Sequence, residues 1–158
     1  MFGEAIQPES EWSAEKMYNE AKIALKSGDY QTAIEFFENL QTRYPFGQYA
    51  EQALLYIAYA YYRFDEPESA ITTADRFIKL HPRHPRVDYA YYIKGLTNFS
   101  PSIGPLDDLF NQDIAERDTA PLQKSFKDFS ELIRRFPNSP YVEDARKRMI
   151  FLRNSLAR

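Results

Sequence analysis

The chain has 158 residues, 44% of them hydrophobic and 27% charged, with a formal net charge of −3; that composition buries a core and excludes collagen-like or wholly disordered chains. No cysteine and only two histidines are present, which removes disulfides, thiolate chemistry and Cys-ligated metals and leaves little for acid–base catalysis. No apolar run approaches the ~18 residues of a membrane-spanning helix, and the opening MFGEAIQPES lacks the basic start and apolar stretch of a secretion signal.

Residues 1–12 read as an N-terminal extension. From Ser13, the stripe Met17, Ala21, Ala24 and Leu25 predicts a helix over 13–27 that stops at Gly28-Asp29. Ala33, Ile34, Phe37 and Leu40 predict a second helix over 30–43, closed by Pro45 because proline cannot continue a helix. Further helices are predicted over 48–64, 68–80, 86–99, 119–135 and 139–157. Residues 100–118 form an insertion, broken at its start by Pro101, Gly104 and Pro105.

Small residues recur at Ala21, Ala58 and Gly95, each 37 apart, and Ala33/Ala70 and Pro45/Pro82 keep that spacing. Counting back twelve from Pro45, Pro82 and Pro137 gives Ala33, Ala70 and Ser125; counting back five gives Leu40, Phe77 and Leu132. The register therefore returns after 18 extra residues. Each unit reads as two helices. The pattern Gly-Asp-Tyr…Ala-Ile…Phe…Pro resembles the tetratricopeptide repeat. That implies an all-α, right-handed superhelix of about three helix pairs plus a C-terminal helix. The expected domain is 13–158, with repeats at about 13–46, 47–83 and 84–138 and a final helix at 139–157. Met17, Leu54 and Tyr91 stand where that repeat carries Trp, and the period of 37 exceeds the usual ~34.

No chemistry-bearing motif emerges. His81 and His84 sit among prolines in a loop with no fixed helical face, so the expectation is a rigid turn with its polar rings outside and no metal. Asp107, Asp108, Asp113, Glu116 and Asp118 resemble a calcium loop only superficially, because Leu109 and Phe110 interrupt the donors. No catalytic residue, cofactor or metal site is expected. Residues 119–158 carry nine basic and four acidic residues, read as a solvated basic face or a docking surface for an acidic partner. The overall negative charge and the lack of a nucleic-acid signature argue against nucleic acid.

Aromatics carry the signal. Tyr56, Tyr59, Tyr61, Tyr62 and Phe64, then Tyr89, Tyr91, Tyr92 and Phe99, place rings on more than one helix face, whereas a helix packed on one side needs a single apolar stripe. Some rings fill space between repeats, and others are free to line a groove on the first helices of the pairs. The candidate groove set is Tyr18, Lys22 and Lys26; Gln52, Leu55, Tyr59, Tyr62 and Arg63; and Tyr89, Tyr92 and Leu96. Tyrosine suits such a surface by offering a large ring with a polar tip. Lys22, Lys26 or Arg63 would meet a terminal carboxylate.

A closer resemblance rests on Tyr44-Pro45-Phe46-Gly47, Tyr59-Ala60-Tyr61-Tyr62, Asp75-Arg76-Phe77-Ile78, His84-Pro85…Asp88-Tyr89, Gly95-Leu96-Thr97-Asn98, Asp128-Phe129 and Pro137-Asn138-Ser139…Tyr141. In that order, from Ser13 to about Ala157, the chain resembles the BamD family, lipoproteins of the bacterial outer-membrane β-barrel assembly machinery. The resemblance implies a non-enzymatic scaffold at the periplasmic face of the outer membrane, held by an upstream lipid anchor absent from this chain. It implies capture of C-terminal segments of unfolded outer-membrane proteins, and docking of BamA-like periplasmic domains and accessory lipoproteins. The family's lipidated Cys is absent, its final repeats would lie beyond Arg158, and Thr119 stands where a Pro is expected. An N-terminal portion is therefore the expectation. Two other readings remain open: a pure complex scaffold whose groove a partner subunit covers, and a generic tetratricopeptide peptide-binding co-chaperone.

Overall fold

A computed structural model describes residues 7–99 and 119–157; the insertion and its acidic residues lie outside the described residues. The described residues form seven α-helices: α1 (Ala14–Lys26), α2 (Tyr30–Arg43), α3 (Gln48–Arg63), α4 (Pro67–Leu80), α5 (Val87–Phe99), α6 (Ala120–Arg135) and α7 (Val142–Leu156). A single 3-10 turn at Glu9–Glu11 precedes them. Consecutive helices pack on one another, α1 also touches α3, and α3 also touches α5. The first helices of the pairs thus form an inner row, as in a tetratricopeptide-like superhelix.

Local chemistry sets the boundaries. Ser13 caps α1 by accepting from the Lys16 amide at 3.1 Å, and Asp29 caps α2 by accepting from Thr32 at 3.1 Å; each satisfies an amide that the helix cannot. The turn between α1 and α2 needs a left-handed residue, supplied by Gly28 at φ 83°. Thirty-seven residues on, Asp65 takes the same role at φ 60°. The same pair of hydrogen bonds closes both turns: Asp29 and Gly28 donate to Ala24 and Leu25, Glu66 and Asp65 to Tyr61 and Tyr62. The extension is docked rather than loose over Glu9–Trp12. Arg43 Nη1 donates to the Glu9 carbonyl at 2.8 Å, the Tyr44 hydroxyl to that of Trp12 at 2.8 Å, and the Trp12 ring meets Phe36 at 5.5 Å.

The core repeats with the sequence. Ala33, Ala70 and Ser125 are all fully buried, as are Leu40, Phe77 and Leu132. Three apolar clusters follow one another along the array, centred on Met17, Phe37 and Ile57, on Leu55, Phe77 and Ile93, and on Leu96, Phe129 and Leu152. Helix α5 lies between neighbours on both sides, and Gly95, Leu96, Thr97 and Asn98 are buried in succession. Its polar groups are matched: Lys94 bridges Asp75 at 2.7 Å and Asp128 at 3.3 Å, and Ser125 donates to the Gly95 carbonyl at 2.7 Å. Helix α7 packs through Ala145, Met149 and Leu152 on the Phe126, Phe129 and Ile133 side of α6. Ile150 and Phe151 remain 52% and 40% exposed beside a cavity of about 380 Å³.

Two expectations change. The final helix begins at Val142 rather than 139, because a turn precedes it: the Val142 amide donates to the Ser139 carbonyl at 3.2 Å and the Tyr141 amide to the Ser139 hydroxyl, which itself donates to Asp88 at 2.7 Å. His81 and His84 do not simply point outward. Both rings pack edge-on against Phe77, at 5.4 and 5.2 Å, and both face Glu51, at 3.8 and 3.7 Å. Among the described residues no group of three or more His, Cys, Asp or Glu side chains could hold a metal. No helix among them is long and apolar enough to cross a membrane.

Candidate functional site

Helical spacing places Tyr18 and Lys22 one turn apart on α1, with Lys22 Nζ 5.3 Å over the Tyr18 ring. Tyr18 meets Tyr49 at 5.2 Å and Tyr56 at 6.0 Å, and Tyr56 stacks on the buried Phe37 at 5.4 Å and 8°. Arg86, the residue ahead of α5, carries the row onward. Its guanidinium lies 5.8 Å from the Tyr56 ring and 5.5 Å from Tyr89, and donates to Gln52 Oε1 at 3.2 Å. Tyr89 then meets Tyr59 at 6.5 Å, Tyr92 at 6.3 Å and Tyr141 at 5.2 Å. Tyr92 stacks on Tyr141 at 4.7 Å and 15°, and donates its hydroxyl to Asp144, which also accepts from Arg148 at 2.7 Å. One ring network thus crosses α1, α3, α5 and the head of α7.

The network's protons report its burial. Burial pushes the Tyr18 hydroxyl up to about 12, with Tyr56 adding to the effect. Tyr56 moves the other way: burial opposes its ionisation, but hydrogen bonds from Arg86 and Tyr18 and the charge of Lys22 outweigh it. Burial raises Tyr89, with Tyr59 and Tyr141 adding to it; burial also raises Tyr92, reinforced by the hydrogen bond to Asp144. The Tyr18, Tyr89 and Tyr92 hydroxyls stay neutral throughout the physiological range; Tyr18 and Tyr92 spend their one proton inside the network, on Tyr56 and Asp144, and present acceptor lone pairs outward.

The family model described as "Outer membrane lipoprotein" (YfiO) matches residues 10–158. The chain belongs to this family. It is 46% identical over 142 residues to the outer membrane protein assembly factor BamD of Vibrio cholerae, covering 90% of this chain and 59% of that protein. It is 42% identical over 146 residues to BamD of Neisseria meningitidis serogroup B, covering 92% of this chain and 55% of that one. The chain therefore spans little more than half the length of these relatives.

Within this YfiO-family chain, Tyr18, Lys22, Gln52, Tyr59, Tyr89 and Tyr92 fall in the connected network. Tyr62 is half-buried between the second and third core clusters. Arg63 stands exposed at the end of α3, 5.6 Å over the Tyr30 ring and donating to the Tyr59 hydroxyl at 3.3 Å. Lys26 is exposed on the last turn of α1, outside the ring contacts described. Leu55 and Leu96 are corrections. They are only 1% and 7% exposed and lie in the core, Leu55 in the second apolar cluster and Leu96 in the third. The same register holds a signal for the residue missing from the set: Tyr49 plus 37 is Arg86. Tyr56, Tyr141, Asp144 and Arg148 gave no comparable signal, since their places depend on how neighbouring pairs meet. The larger cavity of about 660 Å³ lies elsewhere, over α3 between α2 and α4, and is lined mainly by Glu38, Gln41, Ser69, Thr72 and Arg76.

Proposed function

We propose that this chain is part of a non-enzymatic scaffold of the outer-membrane β-barrel assembly machinery, and that its tyrosine face receives C-terminal segments of unfolded barrel proteins in extended form. The carrying observation is the unbroken row of half-buried rings from Tyr18 to Tyr141, with hydroxyls and cations interleaved, across the inner helices. The relatives' name, outer membrane protein assembly factor, supports the reading. Ring faces take alternate side chains of a strand at roughly 0.5–1.5 kcal/mol each beyond area burial, and the hydroxyls meet its main chain, accepting from amides where their own proton is already spent. In this reading the protein works at the periplasmic face of the outer membrane through an upstream lipid anchor. BamA-like domains and accessory lipoproteins are its stable partners.

The test is fluorescence anisotropy of a labelled peptide from the C-terminal strand of an outer-membrane barrel protein. Saturable binding is expected, weakened several-fold by Tyr18→Ala or Tyr59→Ala at unchanged helical content. Absent binding, or binding indifferent to both substitutions, would overturn the proposal.

A further inference from the structure

We infer that Arg86, with Lys22 beside it, forms the anion subsite of the tyrosine face and takes the chain-terminal carboxylate of the bound peptide. The inference rests on the peptide-binding reading above and assigns its polar anchor. Arg86 is half-buried between the Tyr56 and Tyr89 rings, and its hydrogen-bond acceptors, the Gln52 carboxamide and the Tyr56 and Tyr141 hydroxyls, are all neutral. Among the described residues no carboxylate forms an ion pair with Arg86 or Lys22. The nearby acids are engaged elsewhere: Glu51 faces His81 and His84, Asp88 accepts from the Tyr89 amide at 2.9 Å and from Ser139, and Asp144 holds Tyr92 and Arg148. A cation taken partly out of water without a counter-charge is costly to hold and gains most from an arriving anion. Lys22 stands over the Tyr18 ring at 5.3 Å and Arg86 over the Tyr56 ring at 5.8 Å, and those two rings meet at 6.0 Å, so both positive charges border one ring pair.

A guanidinium offers paired donors in the plane a carboxylate accepts. A terminal carboxylate sits directly on its Cα, so it reaches a recessed guanidinium while its own side chain rests on a flanking ring. An Asp or Glu at the same depth would carry main chain past Arg86 in both directions. The exposed Lys26 and Arg63 lie at the ends of α1 and α3, so the carboxylate role expected of them passes to Arg86, with Lys22 retained.

The experiment compares the barrel-protein peptide as free acid and as C-terminal amide, on the parent chain and on Arg86→Gln and Arg86→Lys, at low and high salt. The parent is expected to bind the acid about ten- to a hundredfold tighter than the amide, with the difference shrinking in high salt. Arg86→Gln should bind both forms as weakly as the parent binds the amide, and Arg86→Lys should recover part of the preference. Equal binding of acid and amide by the parent would overturn the carboxylate subsite while leaving peptide capture intact. A preference surviving in Arg86→Gln would overturn the role of Arg86. Sensitivity to an internal Glu→Gln in the peptide, in place of amidation, would overturn the terminal assignment. No binding of either form would overturn both this inference and the peptide-binding reading.

Discussion

At position 95, α5 and α6 approach so closely that a Cβ built on Gly95 would stand 2.4 Å from Phe129 Cε1. The opposing ring is fully buried and cannot swing away. Gly95→Ala gains about 1 kcal/mol of helix propensity but forces overpacking worth about 1–3 kcal/mol, so net destabilisation is expected in denaturant titration. A more stable variant would mean the crossing can open. Ala21 and Ala58, at the equivalent places, tolerate the methyl that Gly95 lacks. Sequence spacing marks all three as small; only the packed Phe129 shows that one must be glycine. Asp65 poses the opposite case. Its positive φ costs about 1 kcal/mol for a residue with a Cβ, and Asp is among the side chains that tolerate it best. Asp65→Ala should therefore lower stability, whereas Asp65→Gly should hold or raise it. Equal effects of the two substitutions would show that φ is not the determinant.

Helix ends were readable because their punctuation is local: Gly28-Asp29, Pro45 and Pro82 act within a few residues. The head of α7 was not, since Ser139 has the appearance of a helix start and its hydroxyl answers to Asp88, far away in sequence. The same distinction applies to the tyrosine face. Helix periodicity finds Tyr18, Lys22 and Tyr59, but Leu55 and Leu96 are withdrawn from it by neighbouring pairs that no local pattern reveals. The contact of α5 with α7 carries a pH dependence of its own. Tyr89 and Tyr92 both hold their protons beyond the usual phenol range, chiefly through burial. The folded chain then binds more protons than the unfolded chain above about pH 10, so stability should be intact below that pH and fall above it. Tyr18, also raised, steepens this decline, and Tyr56, lowered by its hydrogen bonds from Arg86 and Tyr18, works against it. Unfolding free energies between pH 8 and pH 11 measure it, and Tyr92→Phe should make the decline shallower. An unchanged slope in Tyr92→Phe would remove that hydroxyl from the account.

Across the whole array, each helix pair buries its core against the next, so stability is passed from neighbour to neighbour. The three clusters around Phe37, Phe77 and Phe129 are the successive links of that chain. The ring network is built differently, from side chains of four alternate helices, α1, α3, α5 and the head of α7, with none holding it alone. Its length is therefore set by the angles between pairs, and Arg86, reaching the ring of α3 and the head of α5, stands at the joint. On the peptide-binding reading, the face is expected to act as a caliper whose jaws are Tyr18 and Tyr141, an occupant that spans them fixing the curvature of the superhelix. Spin labels at the exposed Asn19 and Glu143 would read the opening directly by electron double resonance. A distance distribution that narrows on adding the barrel-protein peptide, at constant helical content, is the expected result; identical distributions would mean a rigid frame. A flexing frame of this kind would let bend, rather than sequence, report that a client has arrived, and would pass that message along the array without any helix unfolding.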